Sequence, residues 1–88
     1  MAKYNVTFTS HAKKQINSRR AKLVEKIIEK IEALSDNPRP PGCLKQHHIM
    51  SLWHIRVGKY RIIYQIDDKD KIVDIISADL RKDVYRKL

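Results

Sequence analysis

Cysteine and glycine are scarce in this chain of 88 residues, which contains one cysteine and two glycines. The single cysteine, Cys43, excludes an intrachain disulfide and favours a reducing compartment such as the cytoplasm. With only Gly42 and Gly58, the chain has neither the glycine-rich loop that cradles phosphates nor the nucleophile elbow of hydrolases. We therefore expect no nucleotide-binding loop and no serine-hydrolase site.

Long apolar runs and metal-ligand patterns are also missing. No apolar run approaches the length of a membrane span, and the N-terminus alternates polar and apolar residues instead of forming an apolar signal core. His11, His47 and His48 lack the spacing of metal ligands, and no cysteine or carboxylate completes a set with them. We expect a cytoplasmic protein with no membrane association, no metal and no small-molecule cofactor.

Acidic residues are few, because 19 lysines and arginines stand against 10 aspartates and glutamates, a net charge of +9. So large an excess in so short a chain suits a polyanionic partner such as RNA or DNA, or an acidic protein. A soluble basic protein without such a partner is the alternative. The length predicts one domain, residues 1–88.

The first half of the chain predicts one strand and two helices. Residues 4–8 alternate polar and apolar side chains, as a half-buried strand does. Thr9-Ser10 then offers a cap to a short helix over residues 11–17, and Ser18 offers a cap to a second helix. This second helix, residues 19–34, carries an apolar stripe at the 3.6-residue period of an α-helix.

The second half predicts most of a sheet. The proline-rich residues 37–42 end the second helix, and residues 43–48 form a short strand. Residues 71–78 are apolar on both faces, which favours a central strand, and Asp79 offers a cap to a last helix over residues 80–86. The predicted fold class is α+β: two N-terminal helices packed on a mainly antiparallel four- to five-stranded sheet, with a short C-terminal helix.

A β-hairpin between these strands carries the most informative residues. Glycine at the first of the two loop residues, Gly58-Lys59, suits a type II′ turn. That register places Arg56 opposite Arg61, with His54 on the same face. The opposite, apolar face consists of Trp53, Ile55, Val57, Tyr60, Ile62 and Tyr64.

Like charges that face each other destabilise a sheet, so the facing arginines suggest an anion bound between them. The guanidinium of arginine binds phosphate through two hydrogen bonds at once, and histidine can carry a proton near neutral pH. A solvated basic face, or charges that protect an edge strand from aggregation, is the alternative. Near the C-terminus, Arg81 and Tyr85 share one side of the predicted helix, where Tyr85 either joins the site or anchors the helix to the core.

The hairpin, from Leu52 to Ile66, is followed by an apolar strand and by Arg81-Lys82-Asp83-Val84-Tyr85. This pattern resembles the RelE/ParE superfamily of bacterial toxins over essentially the whole chain. The resemblance implies the RelE-like microbial RNase fold and a cognate antitoxin as partner. In the RelE branch it implies an endoribonuclease that cuts mRNA in the ribosomal A site, with ribosome and mRNA as further partners. The ParE branch shares the fold but inhibits DNA gyrase without a nuclease site, and a non-catalytic nucleic-acid-binding module is a third reading.

By position, the catalytic residues of the RelE branch fall on a set of five residues, namely His54, Arg56, Arg61, Arg81 and Tyr85. Two departures stand out. The first two positions are typically lysine in the best-known members, and Gln46 replaces the glycine common after Leu-Lys. The resemblance implies cleavage by attack of the ribose 2′-OH, with a 2′,3′-cyclic phosphate as product. We expect Arg56 and Arg61 to bind the phosphate, Tyr85 or His54 to act as base, and Arg81 to assist the leaving group.

Overall fold

The computed structural model describes residues 3–47 and 51–80, in which two helices pack on a five-stranded sheet. The elements are β1 (Asn5–Phe8), α1 (Ser10–Asn17), α2 (Ala21–Asp36), β2 (Leu44–His47), β3 (Leu52–Val57), β4 (Tyr60–Asp67) and β5 (Ile72–Leu80). The strand order is β1-β5-β4-β3-β2, with β1 parallel to β5 and all other pairs antiparallel. The predicted α+β class, with two helices on a mainly antiparallel sheet, is confirmed.

The two helices begin at different kinds of cap. At the start of α1 the Thr9 hydroxyl accepts a hydrogen bond from the Ala12 amide at 3.0 Å, as the sequence predicted. Ser18 was expected to cap the second helix, but it ends α1, where its hydroxyl donates to the Gln15 carbonyl at 2.8 Å. That expectation was wrong. Helix α2 starts instead after Arg20, which makes no side-chain capping bond.

The core lies between the helices and one face of the sheet. The apolar stripe of α2 contributes Ile27, Ile31 and Leu34, all buried, against strand residues of β3, β4 and β5. Tyr64 is the largest fully buried side chain, and its hydroxyl donates to the Pro38 carbonyl at 2.7 Å. Burial raises the pKa of the Tyr64 phenol well above its ordinary value, because the phenolate would lose its hydration. This bond ties the proline-rich segment after α2 to the centre of the sheet.

Strand β5 contains a bulge that sets which side chains reach each face. Ile63 pairs with Ser77 and Tyr64 pairs with Ile75, so Ile76 is an extra residue on β5. Beyond the bulge, Ala78 lies on the core face and is fully buried. The bulge therefore shifts the core-facing positions of β5 from Val73 and Ile75 before it to Ala78 after it.

The end of β5 corrects one expectation. Asp79 was expected to cap a last helix, but it pairs with Arg61 inside the sheet, and Leu80 pairs with Tyr60. The helix expected over residues 80–86 therefore does not begin at Leu80. Its remaining positions lie outside the described residues.

Candidate functional site

The β3–β4 hairpin has the predicted register. Gly58 takes a φ of +60°, which the first loop position of a type II′ turn requires and which costs glycine little. Val57 pairs with Tyr60, and Arg56 pairs with Arg61. The facing arginines are therefore confirmed as strand neighbours, and directly opposite side chains have Cβ atoms about 4.5–5.5 Å apart.

The three cationic or proton-carrying groups of the hairpin differ sharply in exposure. Arg56 is exposed, whereas His54 and Arg61 are each only 6% exposed. A buried guanidinium is costly unless it is compensated by other polar groups, so Arg61 is held in a more specific environment than a solvated basic face provides. The sequence predicted the shared face but not this contrast.

Asp79 joins the site face, and sequence reasoning missed it. It lies directly opposite Arg61 on β5, so the row across the three strands runs Arg56, Arg61, Asp79. A carboxylate beside the inner arginine lowers the excess of positive charge on this face. The neighbouring row runs His54, Ile63, Ser77, and the Ser77 hydroxyl belongs to a buried residue.

Gln15 of α1 fixes this end of β5. Its side-chain carbonyl accepts from the Ala78 amide at 2.8 Å, and its side-chain amide donates to an Asp79 carboxylate oxygen. Strand β1 pairs with β5 only as far as Ile75, so Gln15 supplies a hydrogen bond where β1 no longer does. The helix thereby holds Asp79 in place beside Arg61.

The other two site residues predicted from the sequence, Arg81 and Tyr85, lie outside the described residues. Within residues 3–47 and 51–80, the structure brings together His54, Arg56 and Arg61 on one sheet face. Arg81 would follow Leu80 directly, one residue past the described end of β5. Their assignment to the site stays a prediction.

A second cluster of polar groups lies at the opposite end of the sheet. The Arg39 guanidinium donates two hydrogen bonds to the Asp68 carboxylate, at 2.8 and 3.1 Å, and the Tyr4 hydroxyl donates to the same carboxylate at 2.6 Å. These donors lower the pKa of Asp68 to about 2. Arg39 and Lys45 also lie over the ring of Trp53, at 5.2 and 5.3 Å from its centroid.

Neither a metal-ligand group nor a membrane helix occurs in the part of the chain that the structure describes. No cluster of three or more histidine, cysteine, aspartate or glutamate side chains there has the arrangement to hold a metal ion. No helix there is long and apolar enough to cross a membrane.

Comparisons with known proteins agree with this architecture. The curated toxin RelG of Mycobacterium tuberculosis is 29% identical over 85 residues, which span 96% of this chain and 98% of RelG. A chain of the archaeal RelE–RelB complex of Pyrococcus horikoshii superposes with a TM-score of 0.81 at 26% identity, over 92% of this chain and 97% of that one. A chain of the RelBE2 toxin–antitoxin complex of M. tuberculosis gives a TM-score of 0.77 at 26% identity, over 90% and 99%.

A family model settles the relationship. The model that describes the ParE toxin of type II toxin–antitoxin systems matches residues 6–85, which include both helices, β2 to β5, all of β1 except its first residue, and the hairpin arginines. The match is consistent with the sequence resemblance and with the superposed structures. The chain belongs to this toxin family, within the RelE/ParE superfamily of type II toxin–antitoxin toxins.

Proposed function

We propose that this toxin is a ribosome-dependent endoribonuclease that cleaves mRNA in the A site and so inhibits translation in the cytoplasm. The observation that carries the proposal is the row Arg56–Arg61 across β3 and β4, with His54 on the same face. Two guanidinium groups at this spacing suit the non-bridging oxygens of one phosphodiester, and a neighbouring imidazole suits proton transfer. The sequence similarity to RelG and to the RelE chains supports the nuclease branch.

The reaction uses the nucleophile that RNA itself carries. A base removes the proton of the 2′-OH, the 2′-oxygen attacks phosphorus, and the bond from phosphorus to the 5′-oxygen breaks. The 5′-oxygen takes a proton, which leaves a 2′,3′-cyclic phosphate and a 5′-hydroxyl. Arg56 and Arg61 bind the scissile phosphate, Arg61 stabilises the charge on the phosphorane, His54 or Tyr85 accepts the 2′ proton, and Arg81 stabilises the leaving oxygen.

The unequal exposure of the hairpin residues gives a reason why cleavage would need the ribosome to position the RNA. Arg56 meets the RNA backbone first because it alone among the three hairpin groups is exposed. His54 and Arg61 act only when the scissile phosphate is brought close to the buried row. Positioning of this kind is worth about 7–11 kcal/mol, and on naked RNA it is missing. Cleavage of free RNA is therefore expected to be weak.

The partner that restrains this activity is a cognate antitoxin. Two of the superposed structures are toxin–antitoxin complexes, which supports a protein partner for this chain as well. The net charge of +9 suits a partner with an acidic segment.

The proposed chemistry is tested by the substrate. The purified toxin is added to ribosomes that hold an mRNA with a 2′-deoxynucleotide on the 5′ side of the expected cut. We expect the all-ribose message to give a 2′,3′-cyclic phosphate end and the deoxy message to stay intact. Cleavage of the deoxy message at the same position would contradict attack by the 2′-OH.

Inhibition of DNA gyrase is the second candidate function, because the family description that matches this chain is that of the ParE toxin. It predicts loss of supercoiling by purified gyrase while translated mRNA stays intact. The hairpin arginines would then contact protein or DNA and need no proton-transfer group beside them.

A further inference from the structure

Helix α1 holds strand β5 at two points. Near the start of the helix, the Thr9 hydroxyl donates to the Ile76 carbonyl at 2.9 Å. Further along, Gln15 bonds to the Ala78 amide and to the Asp79 carboxylate. Thr9 and Gln15 are about 9 Å apart along a helix axis, and Ile76 and Asp79 are about 10 Å apart along a strand. The two spacings match, so α1 runs beside the end of β5 and fixes its direction.

The second of these contacts matters because β5 has lost one neighbouring strand there. Strand β1 pairs with β5 only as far as Ile75, and the extra residue Ile76 forms a bulge, which bends a strand. Beyond the bulge, β4 is the one described strand that still pairs with β5. Gln15 therefore holds the last part of β5 from the side that β1 leaves open.

The side-chain amide of Gln15 is suited to both of its partners. The Ala78 amide needs an acceptor because Ala78 is fully buried, and the side-chain oxygen of Gln15 provides it. The side-chain NH₂ group is then left for the Asp79 carboxylate, to which it donates. Leucine at this position would supply neither group, and glutamate would place a second acceptor against the carboxylate. One glutamine thus serves a backbone donor and a carboxylate together.

Asp79 in turn lies directly opposite Arg61 on the neighbouring strand, so the two side chains share one face of the sheet. Arg61 is buried, and a carboxylate compensates a buried guanidinium only when the geometry of the pair is well defined. An ionised carboxylate has about four acceptor sites, so the bond from Gln15 leaves Asp79 able to attract the guanidinium as well. A connection therefore runs from α1 through Asp79 to the inner arginine of the candidate site.

We propose that Gln15 is a positioning residue of this site, which acts through Asp79 to orient the Arg61 guanidinium toward the scissile phosphate. The identity of the substrate rests on the proposed function, whereas the orientation of Arg61 is a property of the free toxin. Electrostatic catalysis depends on charged groups that are oriented before the reaction. Loss of Gln15 therefore lowers kcat and leaves KM nearly unchanged, because the exposed Arg56 still binds the RNA.

The first measurement is made on the purified full-length toxin without RNA. In isotope-labelled toxin the Arg61 Nε–H group gives an NMR signal, which is assigned by its loss in Arg61→Lys. We expect slow rotation about the Arg61 Nε–Cζ bond in wild type and faster rotation in Gln15→Leu. Asp79→Asn is expected to have the same effect, because it removes the charge opposite Arg61 while its amide oxygen still accepts from Gln15. Lys14→Leu, on the exposed surface of α1, is the control and is expected to behave like wild type.

The second measurement is a double-mutant cycle on A-site cleavage. Gln15→Leu and Asp79→Asn are each expected to lower kcat about tenfold, and the double variant to stay within about twofold of Asp79→Asn, because Gln15 acts through Asp79. The free energy of unfolding behaves differently, since Gln15→Leu lowers it in both backgrounds by removing the acceptor of the Ala78 amide. Tyr64→Phe, which loses the bond to the Pro38 carbonyl, is the control for a loss of stability alone and is expected to keep the wild-type kcat.

Three results would overturn the inference: unchanged rotation of the Arg61 guanidinium in Gln15→Leu, a kcat loss in the double variant equal to the product of the single losses, or an equal kcat loss in Tyr64→Phe. Thermal unfolding verifies that each variant is folded at the assay temperature. If Gln15→Leu is not folded, Gln15→Glu replaces it, because it keeps an acceptor for the Ala78 amide and loses only the donor to Asp79.

The two measurements separate this inference from the proposed function. A toxin in which Gln15 orders the Arg61 guanidinium but which cleaves no mRNA defeats only the proposed nuclease function. A toxin that cleaves translated mRNA, and does so with the wild-type kcat when it carries Gln15→Leu, defeats only this inference.

Discussion

Arg56 and Arg61 lie directly opposite each other on β3 and β4, yet only Arg56 is exposed, while Arg61 is 6% exposed. The pair therefore occupies an outer and an inner position on the same face of the sheet. The inner guanidinium stands opposite Asp79 on β5. In the proposed nuclease, the outer guanidinium would attract the RNA backbone and the inner one would act on the scissile phosphate. Electrostatic stabilisation is strongest where the charged group is already oriented and partly shielded from water.

The first prediction separates the two arginines kinetically. In A-site cleavage by purified toxin, Arg61→Ala lowers kcat by about 10²- to 10³-fold, because it removes a fixed cation from the transition state. Arg56→Ala acts mainly on KM, since an exposed cation contributes to binding of the ground state and the transition state alike. Lys26→Ala, an exposed lysine of α2, serves as the control and is expected to leave both constants unchanged. Equal kcat losses for both arginine variants would contradict the division of roles.

The second prediction concerns the hydrogen bonds from α1 to β5. Gln15→Leu leaves the Ala78 amide without its acceptor and the Asp79 carboxylate without its donor, since Gln15 supplies both. We expect the free energy of unfolding, measured by urea denaturation, to fall by about 1–2 kcal/mol with an unchanged m-value. Lys14→Leu, the exposed neighbour on the same helix, is the control. A Gln15→Leu variant as stable as wild type would show that solvent replaces both bonds.

The third prediction is a pH dependence in acid from Asp68. Its pKa is lowered from 3.8 to about 2 by hydrogen bonds from Arg39 and Tyr4, so ionised Asp68 stabilises the folded state above about pH 4. This contribution is lost as the pH falls to about 2. Because the Asp68 side chain is 54% exposed, its ionisation contributes less than about 1 kcal/mol to the free energy of unfolding. The stabilities of wild type and Asp68→Asn are expected to differ near neutral pH and to converge near pH 2; a constant difference would refute the linkage.

The fourth prediction concerns Tyr64 in alkali. Because the pKa of Tyr64 is raised in the folded state, its phenol ionises at lower pH in the unfolded chain than in the folded one. The free energy of unfolding therefore keeps the full contribution of neutral Tyr64 below about pH 10 and decreases as the pH rises further. Tyr64→Phe removes the bond to the Pro38 carbonyl and costs about 0.5–1.5 kcal/mol near neutral pH. It also removes the part of the alkaline decline that Tyr64 causes. Urea denaturation at increasing alkaline pH measures the stabilities of both proteins, and an equally steep decline in wild type and Tyr64→Phe would contradict this assignment.

The hairpin could be predicted from the sequence because its determinants are local. Gly58 sets the turn, the alternation of side chains sets the faces, and together they fix Arg56 opposite Arg61. Asp79 was misassigned because an aspartate after an apolar strand also matches a helix cap, and only the length of β4 decides between the two. Strand pairing over a long separation overrode the local preference.

The rest of the site depended on contacts that no local pattern reveals. Gln15 and Asp79 are 64 residues apart in sequence, and Arg39 and Asp68 are 29 apart. The burial of Arg61 likewise follows from packing across strands rather than from its neighbours in the chain. The resemblance to RelE/ParE toxins predicted which residues belong to the site. The structure shows which of the described ones are exposed and which are buried.

Cleavage of translated mRNA by the hairpin site can be tested in living bacteria. The toxin and its Arg61→Ala variant are induced in bacteria, and a translated message and a matched message with its start codon removed are mapped by primer extension. We expect new 5′ ends within codons of the translated message only, present with wild type and absent with Arg61→Ala at equal protein levels. Intact mRNA in cells that the wild-type toxin arrests, with loss of DNA supercoiling, would contradict it.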